Sequence, residues 1–189
     1  KLFWQFLRDA CGQHKAHNLD TVLSINLSPT QIKNPTFAKQ LVEELDRIGF
    51  PTELLEVEIT ETSMIGDVDR ARPLLMLLRS RGIRIALDDF GTGYSSLALL
   101  RNMPINKVKI DRSFILDVEG SEGTGLTIVN AILGIAKAMN LQVTAEGIET
   151  VKVSEFLRDM GCTDHSFRDD KSGQAYTYVS RYTGLRQER

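Results

Sequence analysis

Cysteine is scarce in this chain, and the two present, Cys11 and Cys162, stand far apart and in no C-x-x-C spacing. That excludes a cysteine-framed zinc site and a disulfide scaffold, and it fits a reducing compartment. Histidine is nearly as rare: His14, His17 and His165 fall at a helix end or in the C-terminal tail, where they read as surface residues, not as ligands or catalysts. Charge of one sign is not in excess either. A formal net charge of -2 over 189 residues gives no electrostatic case for DNA, RNA or an anionic membrane surface, so a nucleotide ligand would have to be held locally. Long apolar runs are missing too. The longest, Ala131 to Met139, is short and carries Lys137, and no signal peptide precedes Lys1, so a cytoplasmic location is expected. The chain starts in mid-helix without a methionine, which leaves room for a parent protein anchored through another segment. Nor does a G-x-G-x-x-G follow the first strand, which withholds support from a dinucleotide-binding fold.

What is present is ordinary globular composition, 42% hydrophobic and 25% charged, in a length suited to one packed domain. Residues 1–14 carry a helical stripe of Leu2, Phe3, Phe6, Leu7 and Ala10. Strands are predicted at 21–27, 54–60, 83–87, 107–111 and 142–147. Between them come a helix capped by Ser28-Pro29 and ending at Gly49, then helices at 68–81, 95–102, 126–139 and 151–160, with 119–125 as a loop. Strand and helix in alternation over short connections predict an α/β fold, a parallel sheet wrapped by helices, as a barrel or an open doubly wound sheet.

The stretch 83–97, IRIALDDFGTGYSSL, is the centre of the pattern. A buried strand runs directly into Asp88 and Asp89 and then into a turn on Gly91 and Gly93. Adjacent carboxylates leaving a core repel each other and lose hydration, and a divalent cation offsets both costs. A solvated turn whose aspartates cap the next helix is the other reading of this stretch alone. Its glycines serve equally as a phosphate cradle or as plain turn residues.

Placing the apolar face of each strand under helices leaves an inward series of Ser24 and Asn26, Glu56 and Glu58, Ala86 and Asp88, Lys107 and Lys109, Thr144 and Glu146. Asn26, Glu58, Asp88, Lys109 and Glu146 each stand last on their strand, where barrels of parallel strands build active sites. Glu56 and Lys107, one layer deeper, read as an interior ion pair. Each rim residue has a structural explanation by itself, as a turn residue, an ion-pair member or a solvated acid. Together with Asp89 they form an oxygen-rich set with a surplus of negative charge, which suits magnesium or manganese and is better balanced by two ions than by one. Paired ions of this kind clamp a phosphodiester and generate the attacking hydroxide.

The motifs Ser24-Ile25-Asn26-Leu27-Ser28, Glu58-Ile59-Thr60-Glu61, Asp88-Asp89-Phe90-Gly91-Thr92-Gly93-Tyr94-Ser95-Ser96-Leu97, Lys109-Ile110-Asp111-Arg112-Ser113-Phe114 and Ala145-Glu146-Gly147-Ile148-Glu149-Thr150 follow one another along the chain. In these the sequence resembles the EAL domain of bacterial cyclic di-GMP phosphodiesterases. The resemblance implies a TIM-like (β/α) barrel that hydrolyses cyclic di-GMP to pGpG with two magnesium or manganese ions. It implies metal ligation by Asn26, Glu58, Asp88 and Asp89, with Asp89 also helping to activate water. Lys109 would contact the nucleophilic water or the phosphate, and Glu146 would complete the catalytic set. Glu61 would hold the loop after Asp89, which in the family contributes to a homodimer.

Two departures shape the expectation. The Glu-Ala-Leu signature that names the family, with its metal-binding glutamate, is not found, and a (β/α) barrel takes ~250 residues. An incomplete barrel is therefore expected, lacking its first strand and one ligand. After Cys162 the family continues into a strand bearing Gln-Gly-Tyr, whereas this chain reads TDHSFRDDKSGQAY. Gln174 is the candidate for that substrate-binding glutamine after an insertion. The expected division is a partial EAL domain over 1–162 and a divergent segment over 163–189, an edge strand or a disordered extension. A parent protein with a fused sensory or cyclase domain fits the same resemblance. The other function class compatible with the departures is a catalytically inactive EAL-like module that binds cyclic di-GMP or a protein partner.

Overall fold

The computed structural model describes residues 2–64, 68–91, 97–119, 124–162, 164–168 and 175–176. The chain divides into two compact units, Lys1–Lys107 and Val108–Arg189.

In the first unit α1 (Leu2–Ala16) leads to β1 (Leu23–Asn26), then α2 (Pro29–Ile32) and α3 (Phe37–Ile48). A 3-10 turn at Thr52–Leu54 opens β2 (Leu55–Thr60), followed by α4 (Glu61–Met64), α5 (Val68–Ser80), β3 (Arg84–Phe90) and α6 (Leu97–Asn102). The strands are parallel and in chain order, with Ser24 opposite Glu56, Asn26 opposite Glu58, Glu58 opposite Ala86 and Thr60 opposite Asp88. The single helix expected between Ser28 and Gly49 is two. Ser28 and Gln31 form a reciprocal capping box around α2. The chain then breaks at Asn34-Pro35, where proline disfavours helix in the residue before it and Asn34 Oδ1 accepts from the Thr36 amide at 3.1 Å.

Leu55, Val57 and Ile59 are completely buried on one face of β2, and the core extends through Leu41 and Leu45 of α3, Leu75 and Leu78 of α5, and Ile85 and Leu87 of β3. Each such side chain contributes about 1.5–3 kcal/mol on leaving water. The opposite face of β2 is also buried, at 3% exposure for Glu56 and 7% for Glu58, so two carboxylates sit in the interior. Helix α1 is tied to α3 by Arg8 and Glu44, 2.9 Å apart. The Arg47 guanidinium, hydrogen-bonded to Glu44, holds that carboxyl below the usual range, and Arg8 adds to the effect.

His14 corrects the expectation of three surface histidines. It is buried, with Nε2 2.6 Å from the Thr21 carbonyl oxygen and its ring edge-on to Phe50 at 5.2 Å. The helical stripe of α1 runs one turn further than expected, which brings His14 onto the same buried side as Leu7 and Cys11. His17 is exposed, and His165 lies in the strand Asp164–Arg168.

β4 (Lys107–Ile110) starts at the boundary, and from Val108 on it belongs to the second unit, which also contains α7 (Arg112–Glu119), α8 (Thr124–Ala138), β5 (Gln142–Ile148), α9 (Val151–Asp159), β6 (Asp164–Arg168) and β7 (Ala175–Tyr176). Helix α7 was not expected; its start is Asp111, whose Oδ1 accepts from the Ser113 amide at 3.0 Å. Helix α8 begins before Leu126, and Gly125 is part of it. A Cβ there would stand 2.5 Å from Asp117 Cβ and 2.8 Å from the Phe114 carbonyl oxygen, so glycine permits the close approach of α7 and α8. β5 pairs in parallel with β6, and β6 pairs antiparallel with β7. Part of the divergent segment is therefore strand. Gln174 and most of the remaining tail lie outside the described residues.

Cys11 is inaccessible to solvent, and burial pushes its thiol up to about 11 from an ordinary 9.0. It should resist alkylation at pH 8 in the native state and react on unfolding in urea, as read by intact mass. Because the shift favours the protonated thiol of the folded form, its stabilising effect is complete below pH 9 and is lost as pH rises toward 11. A Cys11→Ser chain should lack that alkaline loss of thermal stability.

Candidate active site

Three of the expected residues stand on one face of the first unit's parallel strands. Parallel register gives paired residues a common face, so Asn26 and Glu58 lie side by side, and Asp88 lies one pleat beyond Ala86, the partner of Glu58. Apolar Ile25, Val57 and Leu87 take the alternate positions and are buried. The alternation that fills the core is thus what sends the amide and the two carboxylates to the other face. Asn26 is exposed, Glu58 is buried, and Asp88 and Asp89 are half-buried.

β3 runs through both aspartates to Phe90, three residues further than expected. Asp89 adopts a left-handed φ of 54°, and its amide is 3.2 Å from Asp88 Oδ1. A non-glycine residue in that region is uncommon, although aspartate tolerates it better than most, and such strain concentrates at functional positions. Glu61 is buried at the start of α4. The loop it was expected to hold falls largely on residues 92–96, which lie outside the described residues.

Beneath the rim, Lys107 Nζ is 3.0 Å from Glu56 Oε2, and the Ser24 hydroxyl donates to Glu56 Oε1 at 3.4 Å. Both charged side chains are almost fully buried. This is the expected interior ion pair.

In the second unit Lys109, 7% exposed on β4, places Nζ 2.6 Å from Oε1 of Glu146, which is half-buried on β5. A lysine so enclosed loses hydration, and the carboxylate offsets that loss. As a pair they present an ammonium beside a carboxylate, groups suited to stabilising a phosphate oxygen and handling a proton.

The donor set Asn26, Glu58, Asp88 and Asp89 offers oxygens only and so fits a hard divalent cation in kind. In number it falls short: among the described residues no three His, Cys, Asp or Glu side chains form a metal-holding group. Sequence reasoning also passed over Asn106, whose side-chain oxygen accepts from the Ile85 amide at 3.0 Å while its backbone N–H donates to the Ile85 carbonyl at 2.9 Å. A groove of about 710 Å³ lined by Trp4, Arg8, Glu44 and Arg47 contains none of the candidate residues.

Parallel strands that carry Asn26, Glu58 and Asp88 along one face and are joined by helices define an α/β fold with a candidate acidic site. The EAL domain family matches residues 1–164, and the chain belongs to it. Among relatives, the cyclic di-GMP phosphodiesterase NbdA of Pseudomonas aeruginosa is 36% identical over 155 residues, which is 82% of this chain and 20% of NbdA. Among solved structures, a PaMucR phosphodiesterase in complex with c-di-GMP superposes with a TM-score of 0.78 at 33% identity, over 85% of this chain and 66% of that one. A manganese and cy-diGMP complex of Klebsiella pneumoniae BlrP1 gives 0.75 at 31% identity, over 84% and 41%. The fold is accordingly the TIM-like α/β fold of that family. The chain spans about a fifth of the length of the curated relatives it matches. No helix among the described residues is long and apolar enough to cross a membrane.

Two outcomes follow. Manganese at millimolar concentration should raise the melting temperature, by the equivalent of about 2.7 kcal/mol at a hundredfold excess over Kd, and Asp88→Asn should abolish the rise in scanning calorimetry. Lys107→Met should cost about 3–5 kcal/mol in urea titration by stranding a buried Glu56 carboxylate, whereas the Lys107→Met/Glu56→Leu double variant should recover most of that loss.

Proposed function

We propose that this EAL domain hydrolyses cyclic di-GMP to linear pGpG with divalent cations, lowering the level of a second messenger. The observation that carries the reading is the row of Asn26, Glu58 and Asp88 along one face of adjacent parallel strands, in a chain whose family includes a cyclic di-GMP phosphodiesterase and c-di-GMP complexes. In this reading Asn26, Glu58, Asp88 and Asp89 hold two magnesium or manganese ions. Bound there, the ions would neutralise phosphate charge and acidify water. Asp89 orients the attacking water and accepts its proton. The Lys109 ammonium stabilises negative charge on the phosphate, and Glu146 orients that ammonium through the 2.6 Å contact while remaining available for proton transfer. Glu61 holds the chain that leaves Asp89, and Gln174 binds the substrate. Dimerisation through the stretch after Asp89, fusion to a sensory or cyclase domain, a cytoplasmic location and a boundary near Cys162 belong to the same reading.

One observation favours a second reading. The shortage of converging acidic side chains among the described residues suits a module that binds cyclic di-GMP without cleaving it. The chain should therefore be assayed with manganese and cyclic di-GMP both alone and fused behind the segment that precedes the matching region in NbdA. The fused protein is expected to release pGpG, and Lys109→Met or Glu146→Gln to slow it by about 10²-fold or more. Binding without pGpG from the folded fusion would establish the binding module instead.

A further inference from the structure

Three residues beyond Lys109 and three beyond Glu146, the same two segments meet again. Arg112, the first residue of α7, pairs Nη2 with Glu149 Oε1. Between Glu146 and Glu149 the backbone is irregular. Ala145 stands opposite His165 and Ile148 opposite Phe167, so three steps along β5 match two along β6, and one residue bulges out. Gly147 lies in that bulge with a left-handed φ of 69°. A Cβ on Gly147 would fall 2.4 Å from Arg112 Cγ and 2.7 Å from Cδ, so the Arg112 stem rests directly on bare backbone. The origin of the stem is fixed in turn, because Asp111 Oδ1 accepts from the Ser113 amide and hydroxyl at the start of α7.

A bulge re-aims the side chain beside it, and here that side chain is Glu146. We propose that Arg112 is a positioning residue: its stem on Gly147 and its guanidinium on Glu149 hold the β5 bulge in the conformation that directs the Glu146 carboxylate onto Lys109. An ion pair with side chains 35% and 36% exposed contributes little by itself, so the lock is chiefly steric. Glycine is required at 147 both for the left-handed backbone and for the room the arginine stem occupies. The catalytic consequence rests on the phosphodiesterase reading; the contact itself does not.

The test uses the chain with ¹⁵N-labelled lysine, in which Lys109, enclosed beside Glu146, should give a slowly exchanging ammonium signal identified by its loss in Lys109→Arg. Arg112→Ala and Gly147→Ala should each lose that signal while circular dichroism stays native, and Arg112→Lys should keep it. In the protein that turns over cyclic di-GMP, Arg112→Ala should lower kcat by about 10- to 100-fold with KM unchanged. A native Arg112→Ala chain that keeps both the Lys109 signal and the wild-type kcat overturns the proposal. Should Arg112→Ala fail to fold, the signal in Gly147→Ala decides in its place. Absence of any hydrolysis by the unsubstituted protein counts against the phosphodiesterase reading alone, since the ammonium signal still reports whether Arg112 sets the Glu146 contact.

Discussion

A charged group on the inner face of a strand loses water, and the arrangement of these strands depends on how that loss is met. β2 alone carries Glu56 and Glu58 into the interior, both buried, while Leu55, Val57 and Ile59 fill the core on its other side. Glu56 is met by Lys107 and by the Ser24 hydroxyl. Lys109 is met by Glu146. An isolated buried ion costs several kcal/mol, far more than a single apolar contact returns, so these pairings restrict which strand registers the chain can adopt. A slip of one residue would turn Glu58 and Asp88 toward the apolar core and send Val57 and Leu87 to the charged face.

The same constraint connects stability to chemistry. The deeper layer, Glu56 with Lys107, closes its charge within the protein. The rim layer of Asn26, Glu58, Asp88 and Asp89 offers oxygen donors only, the kind of set that suits a hard divalent cation. Asp89 adds local strain at the strand end, where backbone conformation and carboxylate repulsion are both held by the surrounding core. Under the proposed phosphodiesterase reading, aspartates held in this way would need little reorganisation as charge develops on a phosphate.

Family membership enlarges the reading without replacing it. The matched region covers most of this chain but about a fifth of the curated relatives, so their wider architectures describe those proteins. At the level of residues, register places Asn26, Glu58 and Asp88 on one face of adjacent strands, and an ion pair joins Lys109 to Glu146.

Much was legible in the sequence because parallel strands with one apolar and one polar face write their register as a period of two. Leu55-Val57-Ile59 against Glu56-Glu58 determines which residues of β2 point inward before any coordinate is seen, and the pair Glu56 with Lys107 follows from layer alone. Periodicity could not show that His14 turns inward to the Thr21 carbonyl, that Asn106 stands in for a strand backbone beside Ile85, or that Asp111 starts a helix. Those depend on partners 7 to 21 residues away or on a cap read as a strand end. Nor could it show why residue 147 is glycine. The sequence by itself determined the alternation, the strand faces and the chemistry of the rim. Only the tertiary structure decided that an arginine stem lies against the β5 bulge, because close packing between side chain and backbone leaves no periodic trace in the order of residues.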